Sequence, residues 1–116
     1  MSGKMYVFNH HLYEYRKGLR HLILFTTSPE MYPDIIRKLN KYEIVHIAQP
    51  VSDHKINVFF GHPTCVEAAR RINIGRLDRL TPEEDFMLGT LLGYDPVQQS
   101  QRYLEKTDAG KVRSIA

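Results

Sequence analysis

The stretch His10–Thr27, HHLYEYRKGLRHLILFTT, decides how the chain is read. In its first half Leu12 and Tyr15 recur near helical spacing with Val7, and Phe8 stands beside them, which predicts a helix over residues 5–17. Arg16 and Lys17 fall in the last turn, where cations meet the negative end of the helix dipole. Gly18 stops the helix, because glycine enters the left-handed C-terminal position without a Cβ penalty. Leu22-Ile23-Leu24-Phe25 is the most apolar run of the chain. In a strand over residues 19–27 it puts apolar side chains on both faces. Such a strand needs cover on both, which predicts a central place in the sheet.

Working outward, Ser28-Pro29 has the form of a helix cap followed by proline at the first helical position. The second helix is expected to reach Lys41, with Ile35, Ile36, Leu39 and Tyr42 inward and Pro33 bending or delaying its first turn. Residues 43–51 and 55–60 read as two strands joined by the turn Ser52-Asp53-His54, with Pro50 marking an edge. Gly61-His62-Pro63-Thr64 opens a third helix, whose Cys65, Ala69 and Ile72 share a face; Asn73-Ile74-Gly75 closes it. Thr81-Pro82-Glu83-Glu84 combines a cap, a proline at the first position and a capping-box glutamate. The fourth helix carries Met87, Leu88, Leu91 and Leu92, has Gly89 where another segment can approach closely, and ends at Gly93. Asp95-Pro96 begins a fifth helix through about residue 106, with Val97, Gln101 and Leu104 on one face.

The fold class is therefore α+β: a three-stranded sheet with a βαββ core and about five helices, in the order αβαββααα. The simplest topology puts the third strand between the first and second, half of a ferredoxin-like unit. Residues 1–107 are expected to form one domain and residues 108–116 a disordered tail.

Composition narrows the class. The chain has 116 residues, 42% hydrophobic and 25% charged, with a single cysteine. These values are ordinary for a soluble domain, and one cysteine excludes an internal disulfide and a cysteine-based zinc site. No apolar run approaches the ~20 residues that cross a bilayer. The first fifteen residues lack an uninterrupted apolar segment, so the expectation is a cytoplasmic protein without a membrane partner. The net charge is +3, from 16 cations among 13 acids. Arg70, Arg71, Arg76 and Arg79 are the densest cationic stretch, short of the one-sided charge that nucleic-acid binding requires. A mild basic excess fits an acidic protein partner.

The segments HHLYEYRKGLRHLILFTT, GHPTCVEAARRI and LTPEEDFMLGTLLGYD resemble those of a small bacterial family of uncharacterised proteins, catalogued as domain of unknown function number two thousand and twenty-three. The resemblance covers nearly the whole chain except the tail. It implies three strands, five helices and a homodimer, and it carries no assigned activity and no catalytic residue. It also implies an association with flavodoxin gene neighbourhoods. Flavodoxins are acidic, so the resemblance suggests one as a docking partner.

The residues that could carry chemistry are few. His10 and Glu14 lie four apart on one helix face, but no HxxxH or HExxH spacing adds ligands, so no metal site is expected. His21 and His46 fall in strands as hydrogen-bonded side chains. Tyr6, Phe8, Tyr13 and Tyr15 cluster near the first helix, where packing explains them as well as stacking on a flat ligand does. The best-placed site is the turn Gly61–Cys65, which joins a strand end to a helix N-terminus. Free N–H groups and the dipole there suit an anion at Gly61, His62 and Thr64. A thiol at that position would be activated, which makes His62 and Cys65 the catalytic candidates. Against this, a small thiol on a core-facing helix side is usually buried. No nucleotide-enzyme motif is present, and no cofactor is expected. The reading is a non-enzymatic, homodimeric interaction or accessory protein, with small-anion binding or enzymatic chemistry at the Gly61–Cys65 turn as the alternative.

Overall fold

The computed structural model describes residues 3–72 and 74–109. In chain order it has α1 (Gly3–Arg16), β1 (Leu22–Thr27), α2 (Tyr32–Lys41), β2 (Val45–Pro50), β3 (Ile56–Gly61), α3 (Pro63–Arg71), α4 (Pro82–Leu91) and α5 (Pro96–Ala109). This is the α+β arrangement αβαββααα. A short 3-10 segment, Ile74–Arg79, kinked at Arg76, lies between α3 and α4 and has no counterpart in the predicted order.

The sheet runs β1-β3-β2, with both pairings antiparallel. β3 is inserted between the other two, as the simplest βαββ topology requires. β1 is consequently an edge strand, not the central one its composition suggested. Apolar side chains on both faces report cover above and below the sheet, and they say nothing about hydrogen-bonded neighbours to either side.

That cover is visible residue by residue. Ile23, Phe25, Val58 and Phe60 point to one face, where Phe8 and Leu12 of α1 and Ile35 and Leu39 of α2 close over them. Leu22 and Phe59 point to the other, under Val66 and Ala69 of α3, Leu88 of α4 and the following Leu92. Phe8 is fully buried and meets Phe25 and Phe60 edge-on, with centroids 5.4 and 5.6 Å apart. The inward stripe of α1 is therefore Phe8, Leu12 and Tyr15, at i, i+4 and i+7; Val7, which spacing groups with Leu12 and Tyr15, is exposed.

Helix ends follow local chemistry. At the end of α1, Leu19 N–H donates to Glu14 O (2.9 Å) and Gly18 N–H to Tyr15 O (2.9 Å), with Gly18 at φ +78. Gly93 ends α4 with the same pair of bonds, the Schellman arrangement. α2 begins at Tyr32, three residues later than Ser28-Pro29 suggested. Ser28 Oγ accepts from Met31 N–H at 3.3 Å, closing the turn before the helix and not capping it. The N-cap is Met31, which makes no side-chain cap bond, and Pro33 in the first turn sets where the helix can begin. The Thr81–Glu84 capping box is complete in both directions. α5 continues to Ala109, past the expected helix end; residues 110–116, where most of the expected tail lies, are outside the described residues.

Candidate functional site

The Gly61–Cys65 turn is built where the sequence indicated. Gly61 sits at φ +150, and a Cβ there would overlap the carbonyl of His21, so the end of β3 can approach the chain before β1 only as glycine. His62 N–H donates to that same carbonyl at 2.8 Å. His62 then acts as the N-cap of α3, its Nδ1 accepting from Thr64 N–H at 3.1 Å. This bond places the neutral ring's proton on Nε2.

Capping changes what the turn offers an anion. Pro63 has no N–H, and that of Thr64 is taken by the imidazole. Among the described residues, Cys65 N–H is the one first-turn donor left without a bond. His62 and Thr64 are exposed, whereas Cys65 is half-buried against the cluster around Leu22 and Phe59. The turn therefore brings His62 and Cys65 close in sequence but gives them different surroundings, one facing solvent and one packed on the core.

The other histidines are also placed. His11 Nδ1 lies 3.2 Å from Glu14 Oε1, Arg20 Nη1 lies 3.6 Å from the same oxygen, and His10 Nε2 lies 4.0 Å away. Desolvation raises the Glu14 pKa, but the His11 hydrogen bond and the charges of Arg20, His10 and His11 outweigh it and hold the carboxyl below its usual value of 4.5. With a guanidinium already on Glu14, the carboxylate is poorly disposed to take a metal cation. Among the described residues no three of His, Cys, Asp and Glu converge. His46 Nδ1 bonds the carbonyl of Ile44, the residue before β2, at 3.0 Å and lies across β3 from β1, two strand spacings or about 10 Å away; His21 and His46 are not brought together. The aromatic cluster splits: Phe8 is core, Tyr15 packs on Phe60, and Tyr6 and Tyr13 face outward.

A surface that the sequence hardly indicated lies on the other side of the sheet. α5 is held to α4 by a bidentate Arg102–Asp85 pair (2.8 and 3.2 Å), by a Tyr103–Glu83 hydrogen bond (3.1 Å) and by an edge-on Phe86–Tyr103 contact at 5.6 Å. The Gln99 side chain lies directly over Gly89, the close approach expected at that glycine. These contacts leave every described side chain of α5 at least partly exposed. Two depressions of about 570 and 540 Å³ flank α4, one toward α3 and one toward α5, and both are lined by Phe86 and Met87. Met87 is 51% and Leu104 59% exposed, so a continuous apolar face runs from Ile72 across α4 to Leu104. A moment along α4 alone does not reveal this surface, because α4 is apolar on several sides; it arises only when α5 is docked.

No helix among the described residues is long and apolar enough to cross a membrane. No curated protein matches the chain. A family model described as "Protein of unknown function (DUF2023)" matches residues 6–106. With the βαββ sheet, the capped turn and the α4–α5 surface all inside that span, the chain belongs to the DUF2023 family.

Proposed function

We propose that this protein is a non-enzymatic, homodimeric accessory module of the cytoplasm that works by protein contact, with an acidic partner such as a flavodoxin. The observation carrying this reading is the α4–α5 face. Large apolar side chains with a half-exposed methionine at their centre, rimmed by Arg71 and Glu83, match the composition of interface cores. A two-fold axis near Met87 would bring the Arg71 side of one copy to the Glu83 side of the other, the self-complementarity an isologous dimer needs. The flavodoxin follows from the family resemblance and the positive net charge.

Sedimentation equilibrium at micromolar concentration tests the reading. The wild-type chain is expected to be a dimer and Met87→Glu a folded monomer, because a charge at the centre of the face would be desolvated without a partner. A wild-type chain that stays monomeric, or a Met87→Glu chain that still dimerises, refutes the assignment.

A further inference from the structure

On the opposite side of the sheet, a groove of about 530 Å³ runs between the C-terminal ends of α1 and α2, lined in part by Tyr13, Arg16, Lys17, Lys38 and Tyr42. We propose that this groove is the docking site for a carboxylate-bearing surface of the protein partner, so that it deepens the contact reading and rests on it.

Arg20, Arg37, Arg70, Arg71, Arg76 and Arg102 each have a carboxylate within 4.0 Å. Among the described residues, Arg16, Lys17, Lys38 and the adjacent Lys41 have none; Lys4, Lys55, Arg79 and Lys106 have none either, but these lie on separate parts of the chain and are not gathered at one place. The four at the groove are held instead by neutral groups. The Arg16 guanidinium lies 4.0 Å from the centroid of Tyr42 and Lys41 Nζ 5.5 Å from it. Lys17 Nζ lies 5.7 Å from the Tyr13 ring, and Lys38 Nζ donates to Asn9 Oδ1 at 2.6 Å. The two helix ends contribute about half a negative charge each and Glu43 follows α2 with a carboxylate, which leaves roughly two positive charges uncompensated around the groove.

Their layout selects the ligand. Three of the four cations are drawn to two separate rings, Tyr13 on α1 and Tyr42 at the end of α2, a spread that suits several carboxylates on a folded surface better than one compact phosphate. Arginine and tyrosine are also the residues that most often anchor protein interfaces. A nucleic-acid backbone would need the charge to continue, but the remaining arginine cluster lies on α3 and the 3-10 segment, beyond the sheet, and is largely ion-paired.

The test titrates a tyrosine-containing polyglutamate peptide into the full chain by amide NMR, with pyrophosphate and oligo-dT as parallel probes. Shifts caused by the peptide should cluster at Tyr13, Arg16, Lys38 and Tyr42. Affinity should fall about ten-fold in Arg16→Glu/Lys38→Glu, as expected for losing two exposed ion pairs. The control Arg79→Glu/Lys106→Glu changes net charge equally and should shift affinity by less than about two-fold. Equal loss in both variants, shifts elsewhere, or groove binding by pyrophosphate or oligo-dT in preference to the peptide overturns the assignment. Failure of the broader contact reading looks different: the chain would be monomeric in sedimentation while the groove still took the peptide.

Discussion

Glu43 occupies a position built for glycine. It follows α2 at φ +56, and the chain reverses around it through Glu43 N–H to Asn40 O (3.0 Å) and Ile44 N–H to Leu39 O (2.9 Å). These are the same two bonds that Gly18 and Gly93 support at their helix ends. A left-handed conformation costs a residue with a Cβ about 1–2 kcal/mol, whereas glycine pays about 0.5–1 kcal/mol more chain entropy on folding. Glu43→Gly is therefore expected to stabilise by about 0.5–1 kcal/mol, which raises Tm by roughly 2–6 °C for a domain of this size. Removing a carboxylate beside the negative end of α2 also helps, by about 0.3–1 kcal/mol. Glu43→Ala measures that part alone, because it loses the charge and keeps the strained backbone. Urea unfolding followed by circular dichroism should show a higher midpoint for Glu43→Gly than for Glu43→Ala at unchanged slope. If the two variants coincide, or the glycine variant is the less stable, the backbone reasoning fails.

Gly61→Ala should behave in the opposite sense, losing at least about 2 kcal/mol, because its Cβ meets backbone that cannot move without breaking the β1–β3 pairing; urea midpoints give the value. Thr81→Ala removes one half of the capping box and should cost about 1 kcal/mol, seen as a lower Tm with the secondary structure retained. The depressed Glu14 pKa fixes a sign. A carboxyl whose folded pKa lies below its unfolded one adds stability above pH 4.5, and that contribution disappears as the pH falls through the folded value. Glu14→Gln should therefore flatten the acid limb of a stability-against-pH curve, and an unchanged limb would show that the Arg20–His11 arrangement contributes nothing.

The parts of the fold that are written locally were legible. Thr81-Pro82-Glu83-Glu84 has its cap and box within four residues, and Gly18 and Gly93 end their helices through bonds to carbonyls a turn away. β1 is legible as a strand and β3 as its neighbour, but the apolar pattern on both faces of β1 points wrongly to a central place, because it reports cover above and below and not lateral pairing. Helical spacing groups Val7 with Leu12 and Tyr15, while the position of the sheet decides that Phe8 and not Val7 is buried. The Gly61–Cys65 turn could be located from its glycine and proline. That the imidazole of His62 would take a first-turn donor could not, since the rotamer is set in three dimensions. The α4–α5 face and the α1–α2 groove were the least visible: each is made by separate helices whose facing residues share no motif.

The insertion of β3 between β1 and β2 has a consequence for synthesis. β1 has no ladder partner until residues 56–61 have been made, since it pairs with β3 alone. The hairpin of β2 and β3 can close locally, but Leu22-Ile23-Leu24-Phe25 must wait for it. At typical elongation rates the interval between Thr27 and Gly61 lasts about 2–7 s. For that time the stickiest segment of the nascent chain has at most its helices for shelter, which makes the first third of the sequence the part a ribosome-bound chaperone would hold.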